Sequence, residues 1–407
     1  MIETALAVAL FSTLVTSLVL LILLARRWLL PEGVARVEIN ERRTIDAPLG
    51  TKLLDALAAA GIALPSACGG KGTCGQCRFV AVGDAPPAQP VERSRLDRRE
   101  LARGTRLACQ LTVRSDLRIR IPEAIFGVQR WTCRVRSARC VGTMIREIVA
   151  ELPDDERLGF RPGSFVQVTA PPYRAHFRDF AVEPEVRPEW DRLNLWRYEV
   201  ASSAPVTRAY SLANVPEEDR VAMLLVRLAT PPPSASADVP PGIVSSYLFS
   251  VAPGDSLELA GPYGAFFASE GDAEMIFVGG GAGMAPMRSH ILHQLEGLRT
   301  SRRIGFWYGA RNRRELLYAD LFDRLAAEHP NFSFTPALSE PRPEDAWTGE
   351  VGFVHEVLER GYLAHHRRPE DCEFYLCGPP LMAGATQAML ARYGVPPENV
   401  RFDDFGA

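Results

Sequence analysis

The spacing of hydrophobic and polar residues changes along the chain and divides it into parts. In the first part, apolar and polar side chains alternate as they do in half-buried strands. This alternation predicts strands at 34–39, 43–46, 77–82 and 107–113. Leu53, Leu54 and Leu57 predict a short amphipathic helix that ends at Gly61. We therefore expect a small α+β unit over residues 31–125.

Residues 126–270 consist of short alternating segments separated by proline and glycine, which is typical of an antiparallel β-barrel. Segments 164–169 and 221–228 are examples. Two long interruptions divide the pattern. We expect a binding role for the first, Pro171–Arg197, because it is rich in aromatic and charged residues. The second, Pro231–Pro241, is rich in proline, serine and alanine and predicts an exposed loop.

Strand and helix patterns alternate over residues 271–407, which predicts a parallel sheet with helices on both faces. The apolar runs predict strands at 275–278, 304–308, 332–337, 373–376 and 400–402. Amphipathic segments predict helices at 287–298, 316–328, 352–359 and 380–393.

The N-terminus predicts a membrane anchor over residues 1–30. The 22 residues from Thr4 to Ala25 carry no charge, and this length is sufficient for a helix to cross a bilayer. A signal peptide is the alternative, but it would have a basic start and a shorter apolar stretch. Here Glu3 precedes the stretch, and Arg26 and Arg27 follow it. The positive-inside rule then places the N-terminus outside and the remaining chain in the cytoplasm.

Four hydroxyl residues, Ser12, Thr13, Thr16 and Ser17, fall on one side of this predicted helix. They can bond to the backbone of their own helix, or they can mark a face that packs against another membrane helix. The sequence leaves both interpretations open.

Length and charge limit the function classes. A chain of 407 residues allows roughly two to four domains. The net charge of −3 gives no reason to expect a nucleic-acid partner. The remaining cysteines, Cys133, Cys140, Cys372 and Cys377, are scattered thiols, which are typical of a reducing, cytoplasmic environment. We interpret Cys372 as structural.

Cysteine spacing is the strongest chemical signal. Cys68, Cys74 and Cys77 form a C-x5-C-x2-C motif in a glycine-rich loop, and Cys109 follows 32 residues after Cys77. Four thiolates in such an arrangement hold a [2Fe–2S] cluster, and glycines let backbone amides approach the sulfurs. A structural zinc site usually has two short C-x2-C pairs, whereas this chain has one. A disulfide framework is not expected in a chain of this length.

A flavin site is predicted in the barrel part. Arg208-Ala-Tyr-Ser211 resembles the flavin-binding strand of the ferredoxin–NADP reductase superfamily. Arg208 can pair with the pyrophosphate of FAD, Tyr210 can stack on the isoalloxazine ring, and Ser211 can hydrogen-bond the ring near N5. A second segment resembles the phosphate-binding G-x-x-S segment of that superfamily through Gly242, Val244, Ser245 and Ser246.

A glycine-rich loop follows the predicted strand 275–278 and precedes a predicted helix. Such a loop binds a nucleotide pyrophosphate at a helix N-terminus. Its expected contact residues are Gly279, Gly281, Gly283 and Pro286. The loop differs from a Rossmann fingerprint because no Asp or Glu ends the next strand, which runs to Arg311. A glycine turn without a ligand is the alternative.

The segment before residue 380 resembles the C-G-P-P signature of the same superfamily, in which the cysteine aligns nicotinamide with flavin. Cys377, Gly378 and Pro379 are the matching residues. A C-terminal aromatic residue covers the flavin in related reductases, and Phe405 matches it; a packed phenylalanine in an edge strand is the alternative. We expect Ser211, Cys377 and Phe405 to be catalytic and Arg311 to contact the nucleotide.

Taken together, the chain resembles, from end to end, the family formed by the F subunit of the bacterial Na⁺-translocating NADH:quinone reductases. The N-terminal apolar stretch contributes to the resemblance, as do motifs at 64–70, 72–77, 123–128, 208–211, 279–289, 307–311 and 403–406. The resemblance implies a transmembrane helix, a β-grasp [2Fe–2S] ferredoxin domain, a β-barrel FAD domain at 126–270 and an α/β NADH domain at 271–407.

The resemblance also implies a function. NADH gives a hydride to FAD, and single electrons then pass through the [2Fe–2S] cluster to partner subunits and finally to quinone. The expected partners are the other membrane subunits, A to E, and the expected location is the bacterial inner membrane. Because Arg311, Arg313 and Arg314 could favour a 2′-phosphate, the preference for NADH over NADPH rests on the resemblance.

Two alternatives remain. One is a membrane-anchored NAD(P)H-dependent reductase that supplies electrons to an oxygenase or another acceptor. The other is a structural or assembly subunit with a vestigial flavin domain. The intact cysteine and glycine motifs argue against the second alternative.

Overall fold

The computed structural model describes residues 10–21, 33–66, 68–83, 86–232 and 239–403. The chain divides into two units. The first consists of Met1–Ser66 and Gly70–Gly127, and the second of Ala67–Gly69 and Val128–Ala407.

Residues 10–21 form a helix with exposed side chains. The hydroxyl of Thr16 donates a hydrogen bond of 2.7 Å to the carbonyl of Ser12, so at this position the hydroxyl satisfies its own backbone. The rest of the predicted span 4–25 lies outside the described residues. Within the described ranges, no helix has both the length and the apolar character needed to cross a membrane.

The first unit contains a mixed five-stranded sheet in the order β2-β1-β5-β3-β4. Its strands are β1 Val34–Ile39, β2 Arg43–Pro48, β3 Arg78–Ala81, β4 Thr105–Leu107 and β5 Leu117–Arg120. Its helices are α1 Leu53–Ala59, α2 Pro90–Arg93 and α3 Arg98–Ala102. Strand β1 pairs antiparallel with β2 and parallel with β5. The predicted α+β character is confirmed, including the hairpin and the helix before Gly61.

One predicted strand of this unit is wrong. The segment 107–113 was expected to be a strand that contains Cys109, but β4 ends at Leu107. The backbone N–H groups of Gln110 and Leu111 both donate to the carbonyl of Leu107, at 2.9 and 3.2 Å. These bonds close a turn, so Cys109 lies in a turn instead of a strand.

In the second unit, a six-stranded sheet has the order β11-β8-β13-β6-β7-β12, and all its pairs are antiparallel. A further bridge between Leu212 and Leu224 joins its two edges, which confirms the predicted barrel. The strands up to β13 are β6 Gln129–Gly142, β7 Ile145–Glu151, β8 Phe165–Ala170, β9 Tyr173–His176, β10 Glu199–Ser202, β11 Val206–Ser211, β12 Val221–Arg227 and β13 Ser256–Tyr263.

The aromatic segment 171–197 packs against the barrel. It contains β9, which pairs with β10, and helix α4 Arg187–Arg192. Phe177, Phe180 and Trp190 belong to the buried core of the barrel, and the Trp190 indole donates to the carbonyl of Thr143 at 2.6 Å. Core packing therefore accounts for these three rings, and the predicted binding role of the segment stays a prediction.

A parallel sheet follows in the order β17-β16-β15-β14-β18-β19, as the alternating pattern predicted. Its strands are β14 Met275–Gly280, β15 Ile304–Ala310, β16 Phe332–Leu338, β17 Glu350–Val351, β18 Glu373–Cys377 and β19 Val400–Asp403. The remaining helices are α5 Ile243–Ser250 in the barrel part, α6 Met284–Leu292, α7 Ala319–Glu328, α8 Val354–Gly361 and α9 Pro380–Arg392.

The starts of two helices differ from the predictions by three residues. Helix α6 begins at Met284 instead of residue 287, and it continues as a π-helical turn over His293–Gly297. Helix α7 begins at Ala319 instead of residue 316, because Tyr318 has a positive φ of 53° that a helix cannot contain.

The central strands of the parallel sheet are buried on both faces. Met275 and Phe277 belong to one hydrophobic cluster, whereas Ile276 and Val278 belong to another. This arrangement explains why the strand has a continuous apolar run instead of an alternating pattern. The carboxyl ends of β14, β15 and β18 lie along one edge of the sheet, where such folds bind their ligands.

Candidate functional site

Cysteine ligands were predicted at four positions. Cys77 immediately precedes β3, Cys109 follows β4, and the Ala108 N–H donates to the carbonyl of Cys77 at 2.8 Å. Cys77 and Cys109 are buried, and Cys74 is half-buried. Two main effects raise the pKa of the Cys77 thiol. The larger is its hydrogen-bond contact with the Cys109 thiol, and the smaller is its burial. Cys68 is buried between Ser66 and Gly70, and the Ser66 hydroxyl accepts the Gly70 N–H at 3.0 Å.

The cysteine loop fits a thiolate-bound cluster. Gly70, Gly72 and Gly75 have positive φ values of 87°, 82° and 66°, which side chains rarely adopt. A Cβ at Gly72 would lie 2.6 Å from the Gln110 amide nitrogen, and that nitrogen lies 3.3 Å from the Cys109 sulfur. Donors that approach the sulfur in this way stabilise thiolate ligands of iron.

A cleft of about 510 Å³ in the second unit brings most of the predicted flavin and nucleotide residues together. Its walls come from strand β11, the start of helix α5, the glycine loop after β14 and the loop after β18. The predicted residues that line it are Arg208, Tyr210, Ser211, Gly242, Val244, Ser245, Gly281, Gly283, Gly378 and Pro379. Within the described residues, the lining does not include Ser246, Gly279, Pro286 or Cys377. Phe405 lies outside the described residues.

Strand β11 provides one wall of the cleft. The Arg208 guanidinium donates to the Thr207 carbonyl at 2.8 Å, which uses one of its five N–H donors. Burial raises the pKa of Tyr210, so its phenol stays neutral at physiological pH. A neutral aromatic ring and a cation on one strand suit the ring and pyrophosphate of a flavin nucleotide.

Helix α5 begins at the cleft, and no side chain caps its N-terminus. Gly242 is required here, because a Cβ would lie 2.7 Å from both the Ala229 Cβ and the Ser245 hydroxyl. The Gly242 N–H donates a hydrogen bond to the Ala229 carbonyl, and the Ser245 hydroxyl donates one of 3.1 Å to the Gly242 carbonyl. The first-turn amides of an uncapped helix are suited to an anionic phosphate. This local structure therefore fits the pyrophosphate of FAD.

Glycine is required in the nucleotide loop because the backbones approach closely. A Cβ at Gly283 would overlap the carbonyl of Cys377, and a Cβ at Gly280 would lie 2.8 Å from the Met382 sulfur. The Tyr308 hydroxyl donates to the Gly281 carbonyl at 3.0 Å and fixes the loop. Gly279 has a packing role, since a Cβ there would lie 3.2 to 3.3 Å from Tyr308, Met287 and Phe306.

Cys377 ends strand β18 and pairs with Gly279 of β14. Its side chain is fully buried. Gly378 follows, where a Cβ would lie 2.5 Å from the terminal methyl of Met382 and 3.1 Å from the backbone of Gly280. The C-G-P-P segment therefore lies directly beside the glycine loop, and this close approach leaves no room for a side chain at residue 378.

A second cleft, of about 610 Å³, shares Gly280, Gly281 and Pro379 with the first. It contains Arg311, which was predicted to contact the nucleotide. It also contains Glu340, whose N–H donates to the Arg311 carbonyl at 2.7 Å. An acidic residue, which the end of β15 lacks, therefore lies after β16, the strand that pairs with β15.

Two lining residues, and one residue that contacts the lining, were not predicted from the sequence. Arg227 lines both clefts and is the exposed last residue of an otherwise buried strand, so its position in the pattern could have identified it. Asp403 accepts a hydrogen bond from Ser211 at 2.9 Å. Met144 also lines both clefts, and its sequence context gives no signal of this position.

The fold, the cysteine loop and the two clefts together define the class of protein, which is an iron–sulfur flavoprotein reductase that uses a nicotinamide nucleotide. Three domain families match the chain in the expected order. They are the 2Fe-2S iron-sulfur cluster binding domain at residues 37–114, the oxidoreductase FAD-binding domain at 195–267 and the oxidoreductase NAD-binding domain at 277–388. The predicted cofactors, a [2Fe–2S] cluster, FAD and NADH, agree with these three domains.

The chain belongs to the F-subunit family of the Na⁺-translocating NADH-quinone reductases, which is an oxidoreductase family. It is 50% identical to the F subunit of Methylococcus capsulatus over all of both chains. It is 49% identical to that of Pseudomonas paraeruginosa, with 99% of each chain covered. The resemblance seen in the sequence motifs is therefore confirmed.

Solved structures show the same fold at lower identity. An Amycolatopsis cytochrome P450 reductase, GcoB, matches with a TM-score of 0.64 and 24% identity, covering 91% of this chain and 98% of that one. The ferredoxin reductase in carbazole 1,9a-dioxygenase matches with a TM-score of 0.58 and 23% identity, covering 92% and 99%.

Proposed function

We propose that this chain is the NADH-oxidising, electron-input subunit of a sodium-translocating NADH:quinone reductase. The main support is the full-length identity of about half its residues with F subunits of such reductases, combined with a cleft that joins the flavin strand to the nucleotide loop. When bound, FAD accepts two electrons as a hydride and can release them singly, which is how an iron–sulfur cluster accepts them.

We propose separate roles for the flavin-side residues. Arg208 neutralises the pyrophosphate, Tyr210 packs on the isoalloxazine ring, and Ser211 hydrogen-bonds the N5 edge. The start of α5, from Gly242 to Ser246, provides backbone amides to the phosphates. The position of Arg208, Tyr210 and Ser211 on one strand beside that helix supports this assignment.

On the nucleotide side, Gly279, Gly281, Gly283 and Pro286 shape the loop that receives the NADH pyrophosphate, and Arg311 contacts the nucleotide. Cys377, Gly378 and Pro379 hold the nicotinamide against the flavin. Phe405 covers the flavin until the nicotinamide enters. Gly281, Gly283, Gly378 and Pro379 line the same cleft as Tyr210 and Ser211, and this shared position supports these assignments.

Cys68, Cys74, Cys77 and Cys109 are proposed as the four thiolate ligands of the cluster. Burial of three of them and the positive φ glycines between them support this assignment. Because Cys74 is the most exposed of the four ligands, we expect single electrons to leave on its side.

We further propose a membrane anchor at residues 4–25, with the N-terminus outside and the following domains in the cytoplasm. The anchor would occupy 1–30, the ferredoxin domain 31–125, the FAD domain 126–270 and the NADH domain 271–407. The uncharged stretch and the following arginines support the anchor. The proposed partners are the other membrane subunits, A to E.

A reductase that supplies an oxygenase is the second candidate, because the GcoB and carbazole dioxygenase reductases share this fold over more than nine-tenths of the chain. The two candidates differ in their partner. The test is to isolate the tagged full-length chain from native membranes in mild detergent and to assay NADH-to-quinone turnover with and without sodium.

Co-purification of a multi-subunit complex with sodium-stimulated turnover is the expected result. A chain that comes out alone, and whose acceptor reduction does not respond to sodium, would support the oxygenase-type reductase. Absence of bound FAD and iron would contradict both candidates.

A further inference from the structure

Three side chains that commonly bind transition metals converge away from the flavin and nucleotide clefts. Glu274 immediately precedes β14, Cys372 immediately precedes β18, and His366 lies in the connection between α8 and β18. One ligand atom from each lies within 4.8 Å of the other two. We propose that Glu274, His366 and Cys372 form a binding site for a zinc-class divalent cation.

The distance between the carboxylate and the imidazole fits two ligands of one metal better than a hydrogen bond, and the distance between the imidazole and the thiol is compatible with either. His366 Nε2 lies 3.4 Å from Glu274 Oε2 and 3.8 Å from the Cys372 sulfur. An N–H···O bond is usually about 2.7–3.2 Å long. Tetrahedral zinc, with bonds of about 2.0 Å to nitrogen and 2.1 Å to oxygen, separates these two ligands by about 3.4 Å. A zinc–sulfur bond of about 2.3 Å similarly separates sulfur and nitrogen by about 3.5 Å.

The ligand types select the metal. A thiolate, an imidazole and a carboxylate together suit zinc, whereas calcium and magnesium prefer oxygen ligands alone. Cys372 is 2% exposed, while the side chains of Glu274 and His366 are 15% and 21% exposed. The sulfur is therefore shielded from solvent, and the open side of the site can admit the ion and a water molecule as fourth ligand.

Neighbouring groups orient the carboxylate. The Tyr362 hydroxyl donates to Glu274 Oε1, and the Arg303 Nε lies 3.9 Å from the same oxygen. These contacts leave Glu274 Oε2 directed toward His366. Partners that hold a ligating carboxylate in this way are typical of metal sites.

One contact competes with the metal. The Arg368 N–H donates to His366 Nδ1 at 3.3 Å, which places the imidazole proton on Nε2. Zinc at Nε2 requires the proton to move to Nδ1, and binding also releases the Cys372 thiol proton. Because the Arg368 bond is long, the cost is small. With three protein ligands and this cost, we expect weaker binding than at a four-ligand structural zinc site.

The position in the fold separates this site from catalysis. Cys372 and Cys377 lie at opposite ends of β18, about 17 Å apart at about 3.3 Å per residue. Met275 and Glu373 are paired, so the site joins the starts of two adjacent strands to the preceding connection. A bound ion would therefore stabilise the nucleotide domain and leave hydride transfer unchanged.

The test uses the full-length chain with its iron content verified, so that the cluster cysteines are occupied. The chain is dialysed against buffered Zn²⁺ alone, and zinc per chain is measured by mass spectrometry. We expect one zinc per chain and a higher unfolding temperature with zinc. His366→Gln and Cys372→Ser should bind zinc at least tenfold more weakly. His365→Gln, which alters an exposed neighbouring histidine, and Cys140→Ser should behave like the wild type.

Zinc X-ray absorption of the wild-type chain gives a measurement that does not depend on the variants. One sulfur and two or three nitrogen or oxygen neighbours are expected. No zinc uptake by the wild type would overturn the proposal, as would an all-sulfur shell. Equal uptake by wild type, His366→Gln and Cys372→Ser would also overturn it. None of these outcomes depends on whether the proposed reductase function is correct.

Discussion

The hydroxyl of Ser211 donates a hydrogen bond of 2.9 Å to the carboxylate of Asp403. Ser211 ends strand β11 of the barrel, and Asp403 ends strand β19 of the parallel sheet. The bond therefore joins the proposed flavin strand to the last strand of the nucleotide domain, two positions before Phe405. The orientation of the Ser211 hydroxyl depends on the C-terminal strand because of this contact.

We predict that Asp403→Ala slows flavin reduction by NADH about ten- to hundredfold while FAD stays bound. The physical reason is that Ser211 loses the acceptor that orients its hydroxyl. Stopped-flow measurements of flavin reduction should compare Asp403→Ala, Ser211→Ala and the double variant. If Asp403 acts through Ser211, the double variant is no slower than Ser211→Ala. Additive effects would show that Asp403 acts independently.

Tyr210→Ala should weaken FAD binding roughly tenfold, because an aromatic stacking contact contributes about 1.5 kcal/mol. Tyr210→Phe is the matched control, since it keeps the ring and removes only the hydroxyl. Fluorescence titration of the flavin-free chain with FAD measures both. Unchanged FAD affinity of Tyr210→Ala would refute the stacking role.

Cys74→Ala tests the order of electron transfer. The variant should still oxidise NADH with acceptors that react directly with flavin, because the clefts lie in the second unit and Cys74 in the first. Transfer to quinone should be lost. The comparison requires a folded, FAD-replete variant, checked by absorbance and circular dichroism. Loss of both activities in such a variant would contradict the proposed order.

Glu340 should select NADH over NADPH. A carboxylate can accept hydrogen bonds from the ribose hydroxyls, and it repels a 2′-phosphate. Glu340 lies in the second cleft beside Arg311. Arg313 donates to the carbonyl of Asp345 at 3.1 Å and does not line that cleft. Glu340→Gln should lower the ratio of kcat/KM for NADH to that for NADPH about tenfold or more.

The matched control for this substitution is Glu344→Gln, which removes an exposed carboxylate outside the cleft. Binding of NAD⁺ and NADP⁺ by calorimetry gives a readout apart from turnover. An unchanged ratio in Glu340→Gln would assign the preference to other residues.

The sequence was sufficient to predict features that depend on a local pattern of residues. It was insufficient to predict contacts between segments that are distant in the chain. Gly283 is needed where the predicted loop approaches the backbone of Cys377 and Gly378, and the local glycine pattern had already indicated a close approach in this loop. Glu340 was missed because the acid follows β16, and only the sheet order brings it beside Arg311. Asp403 was not assigned for the same reason, since its partner is 192 residues away.

The aromatic residues of segment 171–197 show a second limit of the sequence. Phe177 and Trp190 occur in a charged segment, which favoured a binding loop, yet both are fully buried in the barrel core. Composition alone does not distinguish a ring that binds a ligand from a ring that packs in a buried core. Only the contacts between distant segments decide between them.

The buried His290 ring leads us to predict that the nucleotide domain becomes less stable at acidic pH. Its ring is buried, its Nε2 contacts the Phe266 carbonyl at 2.9 Å, and its Nδ1 has no hydrogen-bond partner in the described part of the chain. Burial lowers the pKa of His290 to about 4. The unfolded state, with a histidine pKa near 6.5, therefore binds more protons between pH 6.5 and 4. Stability should fall as the pH decreases through this window, by up to about 3 kcal/mol.

Calorimetric unfolding at several pH values should show a smaller pH dependence for His290→Gln than for the wild type between pH 6.5 and 4. His293→Gln is the control, because His293 is less buried and its Nδ1 lies 2.9 Å from Glu217. The variant will be less stable at pH 7, since a packed ring is replaced, so the slope with pH decides the question and the absolute midpoint does not. An unchanged slope in His290→Gln would show that other groups cause the acid sensitivity.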